Sequence, residues 1–184
     1  MLSVSMLTII ISVLLGTYTL TDSVFKFPVT NEFLIGFAIS IAIFMTAVFT
    51  PLTGRLSDKL KKRKIFLIIG LLLLITSIPI YIFTNSYIIV IALRIIQGIS
   101  GALIAPIALA MINDYTEQGK GEQFGLYNTV RLIGLGIGPI IAGYIITNGP
   151  YTIVNRFTIS GFVFSFYLIS TLILIALLLL LIIV

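Results

Sequence analysis

The stretch Gly54-Arg-Leu-Ser-Asp-Lys-Leu-Lys-Lys-Arg-Lys64 lies between two long apolar runs. It carries six bases (Arg55, Lys59, Lys61, Lys62, Arg63, Lys64) against one acid, Asp58, for a net charge of +5. The whole chain of 184 residues is also +5, so its other five bases and five acids cancel. Lys and Arg resist translocation across a bilayer, and a basic cluster this dense between apolar runs marks a short cytoplasmic loop.

Composition sets the class around that loop. Hydrophobic residues make up 59% of the chain and charged ones 9%, with a mean hydropathy of +1.23. A soluble domain carries about 25% charged residues, so this is a membrane protein. The chain has no Cys and no His, which excludes thiol catalysis, disulfides and the usual zinc ligand sets. No metal, cofactor or enzymatic constellation is expected. The pI near 9.6 reflects one loop beside the membrane, which suits anionic lipid headgroups rather than nucleic acid.

Six segments are long and apolar enough to span a hydrocarbon core that needs about 20 helical residues. They lie near Met1–Leu20, Phe33–Thr53, Ile65–Phe83, Tyr87–Ile112, Phe124–Ile146 and Phe157–Val184. Membrane strands are shorter and alternate in polarity, so these runs are expected to be helices. Loops 54–64 and 113–123 hold seven bases, whereas the other three hold only Lys26 and Arg156. That bias puts both termini in the cytoplasm. The expectation is an all-α, multi-pass protein of the cell membrane, with one six-helix bundle over residues 1–184.

Three patterns narrow the reading. The loop Gly54-x-Leu56-Ser57-Asp58-Lys59…Lys62-Arg63 resembles the signature between the second and third helices of the major facilitator superfamily, with Lys61 standing where the family has a second glycine. Arg94-Ile-Ile-Gln97-Gly98-Ile-Ser-Gly101, followed by Asp114, is similar to the family's fourth-helix element and the Asp that opens the next loop. Gly125-x8-Gly134-x3-Gly138-Pro139-x2-Ala142-Gly143 resembles the fifth-helix signature of the family's drug–proton antiporters, with one glycine changed to Ala142.

Physics supports each pattern. An arginine inside a span costs roughly 2.5–3.5 kcal/mol on insertion scales unless it meets a cavity or a partner. Gly134, Gly138 and Ala142 recur every four residues and make a small-residue stripe that a neighbouring helix can approach closely. Pro139 removes a backbone donor and crowds the Leu135 carbonyl. Gly134-x-Gly136-x-Gly138 has no preceding strand and lies mid-span, so it is not a nucleotide-binding turn.

The resemblance implies roles. Arg94 would serve proton coupling; independently of the resemblance, Asp22 near the outer end of the first span is an acid placed to titrate during transport. Gly54, Asp58, Lys59, Lys62, Arg63 and Asp114 would form a cytoplasmic gate. Gly125, Gly134, Gly138, Pro139 and Gly143 would shape the fifth helix. Gln97, Tyr18 and Asn128 offer hydrogen bonds to a small-molecule substrate, and Arg131 is expected to reach the inner interface. The resemblance covers one six-helix half of a facilitator. The expected partners are therefore lipid, substrate, protons and a second six-helix bundle, either a separate chain or a C-terminal half. The expected activity is proton-coupled efflux of drugs or other small amphipathic molecules. Alternatives are an importer of sugars or small metabolites, and a truncated or split subunit that does not transport alone.

Overall fold

In hydrocarbon no water is present to satisfy backbone N–H and C=O groups, so apolar runs close their hydrogen bonds internally as helices. The computed structural model describes residues 31–84, 86–115, 119–149, 151–153 and 157–183. Its elements are α1 (Asn31–Leu60), α2 (Arg63–Phe83), α3 (Tyr87–Tyr115), α4 (Lys120–Asn148), β1 (Tyr151–Ile153), β2 (Phe157–Ile159) and α5 (Gly161–Ile183). All five helices are long and apolar enough to cross a membrane. The expected first span, Met1–Leu20, lies outside the described residues.

The expected loops shrink because helices outrun the hydrocarbon. With 30 residues, α1 is about 45 Å long, against a core of about 30 Å. Residues 54–60, expected as loop, are its last two turns, rich in the helix formers Leu, Arg and Lys. Only Lys61 and Lys62 separate α1 from α2. Lys61 has φ +50°, the left-handed conformation that costs a residue with a Cβ about 1–2 kcal/mol. It therefore takes the backbone shape that a glycine would adopt without strain. Likewise, the expected loop 113–123 begins and ends in helix: α3 continues to Tyr115, and α4 starts at Lys120 after Gly119 at φ +72°.

The sixth expected span also needs correction. Residues 157–159 pair antiparallel with 151–153 in the register Tyr151↔Ile159, Thr152↔Thr158 and Ile153↔Phe157, and the helix begins only at Gly161. Each segment is an aromatic residue followed by the β-branched pair Thr-Ile, residue types that favour a pleated pair.

The bundle has two buried layers. Toward the end away from the basic loop, five helices meet: Leu34 and Ala38 of α1, Ile78 and Tyr81 of α2, Val90 and Leu93 of α3, Ala142 and Ile145 of α4, and Phe166 and Ile169 of α5. Toward the basic end a smaller cluster joins Phe66 and Leu67 of α2 to Leu103, Ile107 and Met111 of α3. α3 is the axis, packed most extensively against α1 and α2.

Small residues make that packing close. A Cβ on Gly98 would lie 2.5 Å from the Ala42 carbonyl oxygen and 2.6 Å from Met45 Cβ. The Thr46 hydroxyl donates to the Gly98 carbonyl at 2.9 Å, and the Ser100 hydroxyl to the Gly70 carbonyl at 2.7 Å. Pro106 sits inside α3 and cannot donate to the carbonyl of Ala102, four residues back. The Thr53 hydroxyl of α1 donates to that carbonyl instead, at 2.9 Å and buried. A proline-orphaned acceptor is thus satisfied from the neighbouring helix.

Candidate functional site

At the basic end, the two-residue link puts Arg63 at the first position of α2, beside the last turns of α1 and α3. Its Nη2 donates to Asp58 Oδ1 at 3.1 Å. Its Nη1 forms an ion pair with Asp114 Oδ2 at 2.9 Å, although the angle there falls short of a hydrogen bond. One guanidinium therefore holds carboxylates from two other helices. Of the expected gate residues, Asp58, Arg63 and Asp114 are brought together. Lys59 and Lys62 are exposed, and Gly54 is half-buried with nothing within 4 Å of an added Cβ. Both carboxylates are more than half exposed, so the clamp is worth about 0–1 kcal/mol per pair and is readily broken.

Toward the opposite end, Arg94 is buried at 4% exposure. Its Nη1 donates to Gln97 Oε1 at 3.4 Å, one helical turn along the same face. Its Nε and Nη2, and Gln97 Nε2, have no hydrogen-bond partner. Tyr81 of α2, 1% exposed, completes the group. Its hydroxyl lies within electrostatic reach of Arg94 and Gln97 without reaching hydrogen-bond geometry with either. Sequence reasoning missed Tyr81, because nothing in its neighbourhood links it to a residue on the next helix. Asp22, expected to act with Arg94 in transport, and Tyr18, expected to offer a hydrogen bond to substrate, lie outside the described residues.

The α4 pattern divides. Gly138 and Ala142 are buried and Gly134 is half-buried, so the stripe faces inward. Pro139 is half-buried within the helix. Gly125, Gly136 and Gly143 meet nothing within 4 Å of an added Cβ. Arg131 is half-buried with Nε enclosed and unpaired rather than freely exposed, and Asn128 is exposed. Among the described residues no cluster of metal-ligating side chains occurs.

Comparison with known proteins gives this geometry a context. The family model described as Major Facilitator Superfamily matches residues 1–184. The chain is 31% identical over 120 residues to the tetracycline resistance protein, class H, of Pasteurella multocida, covering 64% of this chain and 30% of that protein. It is 26% identical over 113 residues to the multi-drug resistance efflux pump PmrA of Streptococcus pneumoniae, covering 61% and 28% respectively. With an uncharacterized MFS-type transporter of Methanocaldococcus jannaschii it shares 32% identity over 124 residues, 67% of this chain and 31% of the relative. The matched stretch thus spans less than a third of each relative's length.

Proposed function

Because this chain belongs to the Major Facilitator Superfamily, whose members are transporters, we propose that it forms the first six-helix bundle of a proton-coupled exporter in the cell membrane, with both ends cytoplasmic. Its cargo would be drugs or similar small amphipathic molecules. The names of two relatives, a multi-drug efflux pump and a tetracycline resistance protein, support that cargo class. Transport would proceed by alternating access against a second bundle, with substrate held between the two near the midplane.

The clamp at the basic end carries the reading. Arg63 binds Asp58 and Asp114 across three helix ends of this bundle, and a second bundle closing on that end would exchange these pairs for its own contacts. Weak, exposed ion pairs suit a latch better than a permanent tie, because a small change in contact shifts the balance between states. The apolar stripe Leu126, Val130, Ile133, Ile137, Ile140 and Tyr144 on the exposed side of α4 offers a face for the second bundle. Arg94, held in the interior, would tune a titrating carboxylate during coupling.

Reconstitution tests the proposal. Together with a second six-helix bundle, the chain in proteoliposomes should move a cationic dye in response to a proton gradient, and Arg94→Ala should abolish the coupling. The present 184 residues alone should move none, because a single bundle supplies only one wall of the cavity. Gradient-driven transport by these residues alone would refute the need for a second bundle. Failure of the two bundles together to move any dye would refute drug export.

A further inference from the structure

Two short stripes run side by side where α1 leaves the hydrocarbon. Leu52 and Leu56, four residues apart, are 57% and 49% exposed. Arg55 and Lys59, also four apart, are exposed beside them, since residues three or four apart on a helix are neighbours. At 1.5 Å of rise per residue, Lys59 lies about 10 Å beyond Leu52 along the axis. The polar layer on each side of a bilayer is about 5–7 Å deep. The two leucines therefore meet the edge of the hydrocarbon, and the two bases enter the headgroup layer.

The turn that follows adds Lys61 and Lys62, both exposed. Residues 54–64 and 113–123 hold seven bases against the four acids Asp58, Asp114, Glu117 and Glu122, so this end keeps a net charge of +3. Lys62, at the N-cap of α2, makes no cap bond, and the positive end of that helix dipole adds to the field of the same layer. Lys61 is the sharper observation. Its φ of +50° strains any residue with a Cβ, and glycine would take it freely. A strained residue at an exposed turn points to a use for its side chain.

We propose that the end of α1 and the turn after it bind an anionic phospholipid. The phosphate lies against Arg55 and Lys59, Lys61 reaches the same headgroup, and the acyl chains run along Leu56 and Leu52. Charge complementarity selects this occupant, because a zwitterionic headgroup would bring its own cation to the same bases. The site stands apart from the export proposal, since lipid binding is read without any transport.

The test releases the 184-residue chain from detergent micelles holding equal amounts of phosphatidylglycerol and phosphatidylcholine, and native mass spectrometry counts the lipids retained. At low salt, phosphatidylglycerol should be kept about tenfold over phosphatidylcholine or better. Arg55→Gln and Lys59→Gln should each lower that preference about fivefold, the effect of one base near an anionic surface. Lys61→Gly should lower it as much without lowering Tm, because the strain relieved offsets the added chain entropy. Leu52→Gln combined with Leu56→Gln should reduce phosphatidylglycerol retention as well. Lys120→Gln makes the same charge change in the other loop and should leave the preference intact. Equal losses at Lys120 and Lys59 would mean a diffuse surface potential and overturn the site, as would equal retention of the two lipids. Displacement of the lipid by inorganic phosphate would mark a site for free phosphate and overturn the lipid reading. A mass of two chains that disappears in the double leucine variant would put a second copy on this face instead.

Discussion

α3 and α4 are each 29 residues long, each contains one internal proline, and both carry glycines at helix-packing spacing. Yet they live in different surroundings. α3 lies between α1 and α2 and buries Leu93, Arg94, Gln97, Gly98, Ser100 and Ala102 in one unbroken seam. α4 packs on α5 and lightly on α3, burying only Gly138, Ala142 and Ile145. Small residues permit close approach between helices, but whether another helix comes is decided by position in the bundle. In α3 the permission is used at Gly98, where even a methyl group meets backbone. In α4 it is used along one stripe and left open at Gly125, Gly136 and Gly143.

The strongest test makes the same substitution in both helices. Gly98→Ala forces a methyl against the Ala42 carbonyl and Met45 Cβ, and should cost about 2–3 kcal/mol. Gly136→Ala meets open space and should add about 0.5–1 kcal/mol by restricting the unfolded chain. Thermal unfolding in detergent gives both signs. A stabilised Gly98→Ala protein would mean that α1 and α3 do not touch there.

Within α4 a smaller contrast separates the buried stripe from the exposed face. Gly138→Leu should cost about 1–3 kcal/mol and lower the yield of folded protein in membranes. Ile137→Leu, one residue away but 43% exposed, should change stability by less than about 0.5 kcal/mol. Equal tolerance at both positions would show that the stripe faces lipid.

The smallest expected effect probes how α3 tolerates its proline. Thr53→Val removes the donor to the Ala102 carbonyl that Pro106 leaves unmet, costing about 1–2 kcal/mol. In a Pro106→Ala background the backbone can bond that carbonyl itself, so the same change should cost less than half as much. Additive effects in this double-mutant cycle would show that the hydroxyl and the proline are unrelated.

Much of this architecture was legible because the signals are local or periodic. Apolar runs declared the five described helices, and the basic cluster marked one end of the bundle. The 3.6-residue repeat placed Gly138 and Ala142 on one face of α4, which the structure buries. The expected turns were misplaced because charge marks the membrane boundary, not the helix boundary: Arg55 and Lys59 leave the hydrocarbon while still in α1. The sheet register of 151–159 was also hidden, since aromatic and β-branched residues beside a hydrophobic run read as more of that run.

Sequence alone determined the membrane class, the family and the residues bearing the unusual charges, since hydropathy, charge and motif spacing are properties of neighbours along the chain. Tertiary structure decided what those residues meet. Only folding brings Arg63 of α2 between Asp58 of α1 and Asp114 of α3, sets Thr53 against the carbonyl freed by Pro106, and closes Tyr81 over Arg94 and Gln97. Each of these contacts joins separate helices, and the spacing of residues along one helix holds no information about the face a second helix will present. Packing in the assembled bundle provides that information, because only there do burial and unmet hydrogen bonds acquire a cost.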